Sequence, residues 1–105
     1  MKLFDSELKI LDILWENGGT SAKKLAEILH EQVLWSKTTT YTVIKKCIDK
    51  GVVSREEPNF ICYAKITKKD AQQMETDELV NKMFNGKPDQ LVAFVLQNKE
   101  LSTLK

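Results

Sequence analysis

What this 105-residue chain lacks narrows its function before any motif is read. It has two cysteines, Cys47 and Cys62, fifteen positions apart, and one histidine, His30. Without a Cys-x-x-Cys pair or a second nitrogen ligand, a zinc site is not expected, and Cys47 reads as a small core residue. No Ser/His/Asp set, glycine-rich phosphate loop or carboxylate pair in contrasting environments is present, so the chain is not read as an enzyme and no cofactor is expected. No apolar run approaches the length of a membrane span, and the start, Met1-Lys2-Leu3-Phe4-Asp5, meets charge too early for a secretory signal. These features predict a cytoplasmic protein with free thiols and no membrane insertion. Internal repeats, low-complexity runs and long linkers are also missing.

An excess of charge is missing too, since the formal net charge is +1. Its distribution is uneven. Residues 1–35 carry four lysines against six acids, and residues 70–105 carry four against six. Residues 36–69 carry eight basic residues against three acids. A basic middle between acidic flanks fits a DNA-facing segment held by elements that face elsewhere. With 42% hydrophobic residues, the chain can bury one small core.

Asp5 or Ser6 can cap a first helix whose stripe is Leu8, Leu11, Ile13, Leu14 and Trp15, ended by Asn17-Gly18-Gly19. Thr20-Ser21 offers a second cap, and Ala22, Leu25, Ala26 and Leu29 recur at helical spacing through His30, a residue that complements the helix dipole there. After Val33, Leu34 and Trp35, Ser36 caps a third helix, with Trp35 placed as a staple residue. Both tryptophans read as core anchors. Beyond Gly51 the pattern alternates. Residues 52–56 and 60–66 read as strands joined by a turn at Glu57-Pro58-Asn59, whose Glu56-Glu57 pair suits a solvated strand end. Thr67 can cap a fourth helix over residues 68–85, ended by Gly86, and Pro88 suits the first turn of a fifth.

The third helix carries the functional signal. One face is apolar, with Thr40, Val43, Ile44, Cys47 and Ile48, and the other bears hydroxyls and amines. No carboxylate appears on it until Asp49, whereas an ordinary solvated helix mixes glutamate with lysine. Lysines neutralise phosphates, and hydroxyls reach phosphate or base edges. Three short helices followed by a hairpin make a winged helix-turn-helix, and the fold class is mainly α with a small β-hairpin wing plus C-terminal helices.

The chain resembles the penicillinase-repressor (BlaI/MecI) family through Leu14-Trp15-Glu16-Asn17-Gly18, through Trp35-Ser36 with Thr39, Thr42 and Val43, through Lys50-Gly51-Val52, and through Tyr63. The likeness continues in Lys82-Met83-Phe84-Asn85-Gly86 and Leu91-Val92-Ala93-Phe94-Val95. It implies a dimeric winged-helix transcriptional repressor that binds double-stranded operator DNA. Departures are specific. Lys37-Thr38 stands where the family tends to place proline then lysine, Lys46 stands where arginine is usual, and Cys47 replaces a leucine. An ammonium cannot present the planar fork of a guanidinium. A branch of the family is relieved by a regulatory protease that cuts an Asn-Phe bond, and the matching bond here is Ala93–Phe94, the candidate cleavage site. The paired cysteines of a copper-responsive branch are absent.

The expectations are therefore a winged-helix domain over residues 1–67 and a helical dimerisation region over 68–105. DNA contacts are expected from Ser36, Lys37, Thr38, Thr39, Tyr41, Thr42, Lys45 and Lys46, with Arg55 and Lys65 on the two wing strands. A homodimer interface is expected from Leu79, Val80, Met83 and Phe84 with Leu91, Val92, Val95 and Leu96, because two-fold proteins read two half-sites. The alternative is a winged helix used only as a protein-interaction module, for which a helix enriched in lysine and threonine has no purpose.

Overall fold

The computed structural model describes residues 2–98. They form helices α1 (Asp5–Asn17), α2 (Ala22–Val33), α3 (Lys37–Asp49), α4 (Lys68–Met83) and α5 (Pro88–Gln97), with strands β1 (Thr20–Ser21), β2 (Val53–Glu56) and β3 (Ile61–Ala64). The chain divides into two compact units, residues 3–71 and the remainder.

In the first unit each helix begins where a side chain replaces a missing backbone partner. For α1 that position is Phe4 rather than Asp5 or Ser6. Glu7, three residues on, accepts the Phe4 N–H at 2.8 Å, which moves the cap back by one residue. Ser21 accepts from the Lys24 N–H and Ser36 from the Thr39 N–H, each at 3.1 Å. Helix α2 runs three residues past His30 and stops at Leu34, a left-handed residue with φ 60°. The His30 ring faces the Trp35 carbonyl at 3.2 Å. Ile10, Leu11, Leu25, Leu29 and Ile44 fill the core where α3 lies against α1 and α2. Both tryptophans are half-buried, and the Trp15 indole donates to the Ile66 carbonyl at 2.9 Å.

The winged-helix architecture is present, with a sheet of three strands where the sequence pattern shows two. The order is β1-β3-β2, all antiparallel, with Thr20 opposite Cys62 and Arg55 opposite Cys62 on its other side. Both wing strands are shorter than the alternating runs that mark them, and Lys65 lies just past β3. Its N–H donates to the Val52 carbonyl at 2.8 Å. Gly51, at φ +78°, turns the chain from α3 into the wing, in a region of dihedral space that side chains resist. Gly19 serves a different end. A Cβ there would sit 2.3 Å from the Tyr63 ring, so its bare backbone lets that ring close over the α1–β1 turn.

A buried ion pair joins the start of α1 to the end of α3. Glu7 is 1% exposed, and its Oε1 lies 2.7 Å from the Lys50 Nζ, which also sits 4.6 Å from the centre of the Phe4 ring. One carboxylate thus holds a helix cap and a distant ammonium.

Helix α4 opens within the first unit, before continuing into the second, with a reciprocal cap, Thr67 Oγ1 accepting from the Asp70 N–H and Asp70 Oδ2 from the Thr67 N–H, both at 3.0 Å. Those bonds hold the exposed Asp70 carboxyl below its ordinary range. The helix ends at Met83, two residues earlier than its pattern suggests, because Asn85 and Gly86 both take positive φ and the Gly86 N–H turns back to the Val80 carbonyl at 3.0 Å. Pro88 opens α5, and α5 buries none of its residues.

Removing one member of a buried pair strands the other, at a cost of about 3–5 kcal/mol when both are sealed. The Lys50 side chain keeps 26% exposure, so Glu7→Ala should cost less, about 2–3 kcal/mol, with the lost cap included. Chemical denaturation should show a lower midpoint at an unchanged slope.

Candidate nucleic-acid interface

Helix α3 is half inside the protein. Thr40, Val43, Ile44 and Cys47 are buried, with the Thr40 hydroxyl sealed and unpartnered among the described residues. A 3.6-residue repeat then obliges the positions between them to face solvent. Lys37, Thr38, Tyr41, Thr42 and Lys45 line one shallow open groove. Three of these are hydroxyl side chains and two are lysines. The Thr42 hydroxyl donates to the Thr38 carbonyl at 2.9 Å and keeps its lone pairs for a donor from outside. Lys45 lies 3.5 Å from Asp49, but its side chain is 77% exposed, a pairing that water and salt weaken readily.

Not all the expected residues share that groove. Ser36 and Thr39 face solvent but are joined by a 3.0 Å hydroxyl bond within the α3 cap. Lys46 sits a third of a turn further round, with Phe4, Ser6, Asp49 and Lys50, on the flank facing the start of α1. The wing is nearer to the groove than its distance in sequence suggests. The Tyr41 and Phe60 rings meet edge to face with centroids 5.9 Å apart, and Lys37 lies 5.8 Å from the Tyr41 centroid. On the Phe60 ring lies the Arg55 guanidinium, 3.8 Å from the centroid, and the Arg55 Nε donates to Glu57. Lys65 is exposed and follows directly on the last residue of β3.

A family model described as penicillinase repressor matches residues 3–104. The chain belongs to that family, a family of transcriptional repressors. The penicillinase repressor of Bacillus licheniformis is 22% identical over 96% of this chain and 80% of its own length. The methicillin resistance regulatory protein MecI of Staphylococcus aureus is 25% identical over 96% of this chain and 84% of its own. The solution structure of the monomeric form of Bacillus licheniformis BlaI, in complex with the blaP half-operator, superposes with a TM-score of 0.58 at 22% identity, covering 67% of this chain and 88% of that one. A MarR family regulator from Neisseria meningitidis gives 0.50 at 16% identity, covering 98% and 82%. These likenesses establish the winged-helix fold.

In this family member the residues expected at a dimer interface differ in availability. Met83, Val92, Val95 and Leu96 are more than half exposed and Leu79 is 42% exposed, whereas Val80, at 5%, is already covered within its own chain. Phe84 and Leu91 are half-buried, and the Phe84 ring lies 5.9 Å from that of Phe94. Ala93 and Phe94 lie exposed in the middle of α5. Among the described residues no cluster of His, Cys, Asp and Glu is gathered as for a metal, and no helix is long and apolar enough to cross a membrane.

Burial pushes the Cys47 thiol up to about 12, assisted by the nearby Glu7 charge, and burial pushes Cys62 up to about 11, from an ordinary 9.0. The folded protein therefore keeps protons that the unfolded chain releases above pH 9.0, so the thiols' contribution to stability is intact below that pH. It is lost progressively as pH climbs toward the two folded values. Denaturation midpoints should fall between pH 8.5 and 10.5 more steeply for wild type than for a Cys47→Ala/Cys62→Ala variant.

Proposed function

We propose that this penicillinase-repressor family member is a sequence-specific transcriptional repressor that binds operator DNA as a homodimer, with residues 1–67 reading DNA and residues 68–105 joining two copies. The observation that carries the reading is the α3 groove: two lysines and three hydroxyl side chains, without a carboxylate among them, on a helix whose other face is buried. Lys37 and Lys45 neutralise phosphates on either side of the groove. Thr38, Thr42 and the Tyr41 hydroxyl approach base edges, where hydroxyls donate or accept as the base requires. Ser36 and Thr39 hold the helix start, whose positive dipole end favours a phosphate. Lys46, Arg55 and Lys65 lie outside the groove and serve flanking backbone. BlaI, which shares this fold, is recorded with a half-operator, and that supports a duplex as the partner.

The second unit supports the dimer. Val92, Phe94, Val95 and Leu96 each leave more than half of an apolar side chain in water within one turn and a half of α5. A second copy would cover them, and each protomer would then present one α3 to one half-site. Contact at two half-sites makes the second binding event intramolecular and raises avidity by about 10²–10⁴. Cleavage at Ala93–Phe94 would separate Phe94, Val95 and Leu96 from the rest of that surface and release DNA without altering α3. Proteolysis is thus a workable form of relief. The protein-interaction alternative has no use for an acid-free groove.

Two measurements test the reading, both with a duplex selected from a random-core pool. Affinity should fall steeply with salt, since each neutralised phosphate contributes about 0.9 to the log–log slope, and Lys45→Ala should lower that slope by about one such step. Lys46→Ala, on the flank, should change affinity less than Lys45→Ala. Sedimentation at tens of micromolar, a concentration on the order of a weak dimer's Kd, should show wild type as a dimer and Val95→Asp as a folded monomer that binds a palindrome far more weakly. Affinity that is flat in salt contradicts the DNA reading, and a monomeric wild type contradicts the dimer.

A further inference from the structure

Arg55 is the only arginine in the chain, and its guanidinium is the one group able to offer a planar fork to phosphate. It does not extend freely from β2. Its Cζ lies over the Phe60 ring, 3.8 Å from the centroid, and its Nε donates to the Glu57 carboxylate, so an acid and an aromatic ring of the same hairpin hold it from two sides. Phe60 takes a positive φ of 51°, a conformation uncommon for a bulky residue, and its carbonyl accepts the Ala22 N–H at 3.0 Å. The ring is thereby fixed between Arg55 and Tyr41, at 5.9 Å from the latter.

We propose that Glu57 is a built-in competitor for the phosphate that Arg55 would bind, and that Phe60 is a positioning residue which keeps the guanidinium beside the α3 groove while the competition is decided. The inference deepens the DNA-binding reading and rests on it. The chemistry is an exchange of acceptors. In the free protein the Arg55 Nε–H bonds to the carboxylate; on the duplex it bonds to a phosphate oxygen, and Glu57 returns to water. The Arg55 and Glu57 side chains are 48% and 55% exposed, so the exchange needs no opening of the core and costs little. The device keeps affinity modest: a carboxylate beside the contact repels the backbone that the arginine attracts.

The experiment combines Glu57→Gln with Arg55→Ala in the full chain. It reads duplex affinity against salt and, without DNA, the arginine Nε–H resonance, which is a single signal because the chain has one arginine. Releasing a surface pair should raise affinity about two- to fivefold in Glu57→Gln, and the gain should vanish when Arg55 is already alanine. In the free protein Glu57→Gln should move the Nε–H signal, and adding duplex should bring wild type and Glu57→Gln to one common position, because both then bond to phosphate. A gain of equal size in both backgrounds overturns the proposal, because Glu57 would then act as bulk charge. An Nε–H signal unmoved by Glu57→Gln overturns the clamp itself, whatever the DNA result. A wild type that binds no duplex at low salt, with the signal still responding to Glu57→Gln, defeats the functional reading and the competition with it while leaving the contact intact.

Discussion

The architecture of the first unit depends on how α3 is held, and the Glu7 carboxylate does much of the holding. A carboxylate with 1% exposure is tolerable only if its charge and lone pairs are matched. Here the Phe4 N–H takes one bond and the Lys50 ammonium supplies the opposite charge at 2.7 Å. Because Lys50 follows directly on the last residue of α3, the pair pins the end of that helix to the start of α1. Ser36 caps its beginning. Between these points the burial of Thr40, Val43, Ile44 and Cys47 fixes the rotation of the helix about its own axis. The outward groove is a consequence of that rotation.

A helix held so firmly on one side can leave its other side unsatisfied. The groove residues make few contacts that a duplex would have to break: one back-bonded threonine hydroxyl, one exposed pair between Lys45 and Asp49, and one row of rings and cations. That row, Lys37 to Tyr41 to Phe60 to Arg55, ties the wing to α3 by contacts spaced between 3.8 and 5.9 Å. Preorganisation of this kind lowers the ordering cost that binding otherwise carries. The helix and the wing are thus offered together.

Much of this was legible in the sequence, for physical reasons. Helix α3 announces itself through an apolar stripe, a serine cap and the absence of acids over twelve positions, and the wing through its switch to alternation. Long-range partners leave no such local trace. Glu7 reads as an ordinary first-turn acid, and nothing local connects it with Lys50, 43 residues away. Strand β1 has two residues, too few for alternation to register. Lys45 and Lys46 look equivalent as neighbours in sequence, yet the 100° step between them puts Lys46 on the flank. Lys65 falls just past the end of β3, and Val80 is 5% exposed within its own chain. A strand's end and a side chain's coverage are set by tertiary contacts.

The central claim is that the groove of α3, held open by the α1–α3 pairing, is the surface that meets the duplex. Amide chemical-shift mapping of the nitrogen-15-labelled chain during titration with the selected duplex tests it most directly. The account predicts that the largest changes fall on Lys37, Thr38, Tyr41, Thr42 and Lys45, with smaller ones in β2. Changes concentrated on α5, or on the flank formed by Phe4, Lys46 and Asp49 while the groove stays unmoved, would contradict it.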